Sequence, residues 1–103
     1  VQDYNKAVFW YEKAASQGEA GAQNDLGVCY LLGYGVQKDV EKAVEYFKKS
    51  AKQGYKDAQY NLGTCYVKGF GVPTNLLEAE KWYRNAYIQD YVAAKDALER
   101  LNK

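Results

Sequence analysis

The chain has 103 residues, of which 26% are charged, and its formal net charge is +1. That length supports one small domain with a modest core, and the near-balanced charge lacks the clustered positive field that nucleic acid or an acidic membrane surface requires. Histidine is absent, which removes Ser-His and Cys-His nucleophile pairs, imidazole metal ligands and histidine proton shuttles.

The opening stretch, VQDYNKAVFW, has no basic start followed by an apolar run, so it does not read as a signal peptide. It begins abruptly, inside a pattern that recurs later, and a signal upstream of residue 1 is compatible with it. No apolar run approaches the roughly 20 residues needed to span a bilayer, and direct membrane insertion is not expected.

Helical spacing of apolar residues over about 3–17 predicts a first helix, ended by Gly18. From Ala22 to Leu32 small and apolar residues again recur at helical spacing, including Leu26, Cys29 and Tyr30. Gly33 and Gly35 stop that helix, because glycine readily takes left-handed conformations past a C-terminus. Asp39 can cap a third helix carrying Val40, Ala43, Val44, Tyr46, Phe47 and Ala51 on one face, with Gly54 at its end. The next pair repeats this logic. Asn75 caps, Glu78 suits a capping box, and Pro73 stands just ahead of the helix, where a missing N–H costs little. Asp90 takes the place of the terminal glycine, and a last helix spans about 91–102.

Shifting the chain by 36 residues superposes LGVCYLLGYGV (Leu26–Val36) on LGTCYVKGFGV (Leu62–Val72), and Gln23, Ala43, Gln53 and Tyr55 on Gln59, Ala79, Gln89 and Tyr91. No gap is needed. This is a repeat of helix, turn and helix, stacked so that neighbouring units bury a common core. It divides into a partial unit holding only a second helix (1–21), full units at 22–57 and 58–93, and a C-terminal capping helix at 94–103. In that last helix Glu99 and Arg100 replace Gly27 and Val28, which suits an outer face meeting water. The open N-terminal end is expected to leave the apolar face of 3–17 partly uncovered and to favour self-association.

The pattern A-x-x-x-L-G-x-C-Y-x-x-G-x-G-V followed by D-x-x-K-A-x-x-Y-F-x-K-S-A-x-Q-G resembles the Sel-one-like repeat, a relative of the tetratricopeptide repeats with a longer loop between its helices. The resemblance covers essentially the whole chain. It implies an all-α, right-handed α-α superhelix (solenoid) of helix-turn-helix repeats, acting as an adaptor or scaffold in protein complexes. Residues alone reach only a helical repeat array.

Several motifs invite sharper chemistry. The GYG and GFG triplets could be phosphate cradles, but such a cradle follows a strand and opens a helix. Here the glycines follow a helix, and Lys38 and Thr74 stand where a third glycine is needed. They are turn residues, with Tyr34 and Phe70 expected to fold back onto their own helix pair. Cys29 and Cys65 are two sulfurs without a third or fourth zinc ligand. Equivalent positions in stacked repeats should lie on the order of 10 Å apart, beyond the roughly 7 Å between Cα atoms that a disulfide tolerates. They are expected to be buried free thiols, which mildly favours a reducing compartment such as the cytoplasm. The resemblance implies the same, since relatives with a disulfide in every repeat need two cysteines per unit. No metal and no cofactor are expected. Trp10, Tyr46 and Trp82 occupy one repeated position, and Tyr11, Phe47 and Tyr83 another, so most aromatics are expected in the stacked core. Lys48, Lys49, Lys52 and Lys56 are interspersed with Glu41, Glu45 and Asp57 and read as a solvated face.

By the resemblance, the first helix of each pair lines the concave face. This places Asn24, Val28 and Leu31, then Tyr60, Thr64, Val67 and Lys68, and finally Asp96 and Arg100, on a groove for a protein or peptide partner. These positions vary between units while core positions repeat. The functional expectation is therefore a non-enzymatic protein-interaction module holding a peptide or partner helix in that groove. One alternative is a purely structural segment of a longer solenoid. A remote one is a lactamase-like hydrolase, for which neither serine, Ser16 or Ser50, is followed by the lysine of an S-x-x-K motif.

Overall fold

The computed structural model describes residues 3–102. Six α-helices follow one another: α1 (Tyr4–Ser16), α2 (Ala20–Leu32), α3 (Val40–Lys52), α4 (Lys56–Lys68), α5 (Leu76–Ile88) and α6 (Val92–Leu101). There is no strand among the described residues. Each helix packs chiefly on its neighbours in the chain, α1 on α2, α2 on α3 and so on to α6, and the result is an elongated stack of 41 × 24 × 24 Å.

The two helix types in each pair end differently, and the reason lies in the sequence. Helices α1, α3 and α5 are capped by side chains: Asp3, Asp39 and Asn75 each accept a hydrogen bond from the backbone N–H three residues on, at 3.1–3.2 Å. Helices α2, α4 and α6 start after Glu19, Tyr55 and Tyr91 with no side-chain cap. Their entry is set by the preceding left-handed residue, Gly18 (φ 90°), Gly54 (φ 91°) or Asp90 (φ 65°), which turns the chain back tightly enough that α2 begins at Ala20 rather than Ala22. The capping box at Asn75 is only half made. Glu78 donates its backbone N–H to Asn75 Oδ1, but the Asn75 N–H is already given to the Tyr66 carbonyl at 2.9 Å. The Glu78 carboxylate instead meets Lys81 at 3.8 Å.

The glycine pair has two jobs. Gly33 and Gly69 cap α2 and α4 in the left-handed region, donating to the carbonyls of Cys29 and Cys65 at 2.7 and 2.8 Å. Gly35 and Gly71 let the loop touch the preceding unit: an added Cβ would lie 2.5 Å from the Tyr4 carbonyl oxygen or 2.4 Å from that of Val40. This contact corrects the expectation for the loop aromatics. Tyr34 stacks on Tyr4 of α1, ring centroids 4.6 Å apart, and Phe70 borders one cleft with Leu31, Leu32 and Val40 of the preceding unit. Both lean on the unit before their own.

Phe47 is the largest of the fully buried side chains described, and it sits where Gly27 leaves room for its ring. Tyr83 repeats that placement over Gly63. The other repeated aromatic position is not core throughout. Tyr46 is half-buried and stacks on Tyr30 (5.8 Å), and Trp82 is half-buried, whereas Trp10 is 61% exposed beside exposed Phe9. Phe9 meets the Trp10 ring edge-on at 5.2 Å, and the Lys13 ammonium lies 5.6 Å from its centroid.

Repeated polar positions also tie the helices together, both between units and within them. Gln23 donates to the Ala15 carbonyl (3.4 Å) and accepts from Gln53 Nε2 (2.8 Å). One unit later Gln59 donates to the Ala51 carbonyl (3.3 Å) and accepts from Gln89 Nε2 (3.0 Å). Gln23 and Gln59 are both buried; their bonds to the Ala15 and Ala51 carbonyls are buried, those from exposed Gln53 and Gln89 are part-buried, and neither buried amide is orphaned.

Cys29 and Cys65 are free and buried, as expected. Burial pushes the Cys65 thiol up to about 11 and also raises that of Cys29, where Asp25 adds to the effect. A raised thiol stays neutral in the folded chain after its unfolded counterpart has ionised, so its contribution to stability is complete below pH 9 and is lost as pH climbs toward 11. For Cys65 the loss is on the order of 2–3 kcal/mol. Chemical denaturation at pH 8 and pH 10.5 should show the decline, and Cys65→Ala should lessen it, the Cys29 thiol and the raised tyrosine hydroxyls supplying the remainder. Ellman's reagent should find both thiols slow in the native chain and fast after unfolding.

Candidate functional site

The anticipated groove residues do not form one continuous surface. In the first full unit Asn24 is buried, not exposed, and its Oδ1 accepts from Asn61 Nδ2 of α4 at 3.0 Å. Val28 is half-buried against the core. Leu31 borders a separate apolar cleft of about 200 Å³ with Leu32, Lys38, Val40 and Phe70. Asp96 is exposed on α6.

The second unit behaves differently. Tyr60, Thr64, Val67 and Lys68 of α4 converge with Arg100 of α6 on one cleft of about 510 Å³, completed by Tyr83 of α5 and by Ala97 and Leu101 of α6. The helical spacing of the four α4 residues places them on one face, and α6, one first helix further on, supplies the opposite wall. Tyr83 is the residue that sequence reasoning placed in the core without a further role. It is buried, yet its ring and hydroxyl form the floor. Its place over a helix glycine, equivalent to that of Phe47, gave no sign that a hydroxyl would matter.

The polar groups of that floor are already arranged. Thr64 Oγ1 lies 3.2 Å from the Tyr60 carbonyl oxygen and shares a 2.9 Å hydrogen bond with the Tyr83 hydroxyl. Burial raises the Tyr83 hydroxyl above its usual range, and the bond to Thr64 and the positive charge of Arg100 work against that. Tyr60 packs between Tyr83 and Tyr91, with centroids 5.5 and 5.2 Å away. Lys68 and Arg100 are exposed at the rim. Neither is in an ion pair among the described residues, where the two pairs are Lys81–Glu78 and Arg84–Glu80.

The two serines are placed as structural donors. Ser50 is fully buried with its hydroxyl donated to the Ala20 carbonyl at 2.7 Å, and the Ser16 hydroxyl is given to the Lys13 carbonyl at 2.7 Å. Among the described residues no three His, Cys, Asp or Glu side chains gather as a metal site, and no described helix is long and apolar enough to cross a membrane.

A family model for the Sel1 repeat matches three consecutive stretches, residues 1–19, 20–55 and 56–91. The chain belongs to the Sel1 repeat family. Solved Sel1-type structures agree in shape as well as in sequence. The protein c5321, described as a protective antigen of uropathogenic Escherichia coli strains displaying an SLR fold, is 41% identical over 90% of this chain, with a TM-score of 0.88. A Sel1 repeat protein from Oxalobacter formigenes is 39% identical over 95% of it, with a TM-score of 0.90. Cysteine rich protein B of Helicobacter pylori is 27% identical over 88% of it, with a TM-score of 0.83. The present chain spans 20%, 40% and 68% of those three chains, respectively. No curated protein sequence matches it. The fold is therefore an all-α helical repeat superhelix, and Sel1 repeats typically serve as protein-interaction modules.

Proposed function

We propose that this Sel1 segment is a protein-interaction module that holds a peptide or partner helix against the face formed by its first helices, with the α4–α6 cleft as the anchor point. One observation carries this reading. Five of the nine groove residues expected from the sequence, Tyr60, Thr64, Val67, Lys68 and Arg100, border a single cleft. Its volume of about 510 Å³ is in the range that accepts a few side chains, and an aromatic floor with a charged rim is the usual make-up of an interaction hot spot. A hydrolase finds no comparable support, because both serine hydroxyls are committed to backbone carbonyls.

The test is affinity capture with the chain as bait, followed by titration of each captured protein against variants. Tyr60→Ala combined with Lys68→Ala should weaken binding at least tenfold, while Leu77→Ala, at an 81% exposed position on α5, should leave it unchanged. Thermal melts of the same variants separate a lost contact from a lost fold. Equal affinity of a folded double variant for every captured protein would remove the cleft from the interaction.

A further inference from the structure

We infer that the occupant of the α4–α6 cleft is an acidic peptide segment, in which a carboxylate is held at the rim while an adjacent apolar side chain enters the cleft. The inference rests on the reading of the cleft as a docking site and adds the chemistry of what docks.

Charge complementarity is the first support. No Asp or Glu lines the cleft, whereas a cation from each wall, Lys68 and Arg100, does. Neither cation has a carboxylate partner among the described residues. Both of the chain's described ion pairs lie on α5, away from these groups.

The second support comes from within the chain. One repeat earlier, the positions equivalent to Lys68 and Arg100 are Leu32 and Thr64, and the position equivalent to Tyr83 is Phe47. Stacking the units therefore requires neither cation nor the phenolic hydroxyl, since the first unit packs without them. The charges have been added at a place where the fold does not use them.

The third support is the geometry of the groups. A guanidinium presents a planar fork that can take a carboxylate through two parallel bonds, and an ammonium adds a point charge without directional demand. Tyr60, Val67 and Leu101 leave apolar surface beside them, which is where a side chain next to the carboxylate would be buried. Because Lys68 and Arg100 are exposed, the charge interaction is screened, and it decides which peptides bind more than how tightly.

The experiment is selection of a phage-displayed random nonapeptide library against the whole chain, followed by amide chemical-shift mapping of the strongest synthetic peptide. Expected are sequences at least twofold enriched in Asp and Glu, shifts concentrated on α4 and α6, and affinity that falls as salt is raised. Lys68→Glu with Arg100→Glu, both exposed changes that circular dichroism should find folded, should weaken the peptide at least tenfold. The same variant should select sequences enriched in Lys and Arg instead. If shifts map to α4 and α6 but acidic residues are not enriched, or charge reversal changes nothing, the acidic-peptide inference is wrong while the cleft stands. If no peptide is selected, or its shifts lie elsewhere, both the inference and the docking site fail.

Discussion

Phe47→Ala is expected to destabilise the chain by about 3–5 kcal/mol, the range for removing a fully buried aromatic ring. Phe47 is fully buried and fills the space over Gly27, where an added Cβ would come within 2.5 Å of its ring. The glycine and the ring are one packing unit. Deleting the ring leaves a hollow lined by the α2 backbone, and a helix backbone relaxes into a hollow less readily than side chains do. Small domains are stable by about 5–15 kcal/mol, so the variant should lose a large fraction of its stability. Denaturant unfolding should show a lower midpoint with an unchanged slope. A cost below about 1 kcal/mol would mean that the α2–α3 contact is not tightly packed.

Gly71→Ala is the second large effect, and Gly54→Ala is its control. Both glycines have left-handed backbones, φ 70° and 91°, so both substitutions carry the same intrinsic penalty of about 1–2 kcal/mol. They differ in what surrounds them. A Cβ at Gly54 meets nothing within 4 Å, while at Gly71 it would lie 2.4 Å from the Val40 carbonyl oxygen and 2.8 Å from its carbon. Those are backbone atoms in the first turn of α3, and relieving the clash means parting the loop from the preceding unit. Gly71→Ala should therefore cost at least about 2 kcal/mol more than Gly54→Ala, in line with the penalty for overpacking a close contact. Equal melting temperatures for the two variants would show that the loop does not hold the units together.

Much of this fold was legible in the sequence because its signals are local. Asp3, Asp39 and Asn75 announce helix starts, Gly18, Gly54 and Asp90 announce turns, and the interval of 36 residues arranges them into pairs. What depended on contacts between units was hidden. Tyr34 and Phe70 reach back to the preceding unit because Gly35 and Gly71 permit an approach that no single-unit pattern displays. The recurring glutamines were visible as repeats, yet their bonds to one another come from the angle at which helices stack. Asn24 read as a groove residue because the resemblance puts the first helices on the concave face, and its change to Tyr60 one repeat on suited such a surface. Variation there reflects a hydrogen bond to Asn61 in one unit and a cleft wall in the next. Sequence divergence alone does not separate these two causes.

Packing that runs from each helix to the next in the chain has a kinetic consequence. Few long loops must close before contacts form, so the entropy lost before the transition state is small, and all-helical chains of this kind fold in microseconds to milliseconds. Among the described helices α6 packs chiefly on α5 alone, whereas α3 and α4 each pack on two neighbours, and an element with fewer packed neighbours opens at lower cost. A molecule seated between α4 and α6 would bridge two helices that the chain itself hardly joins, and its binding would be felt first as a slower release of the last helix.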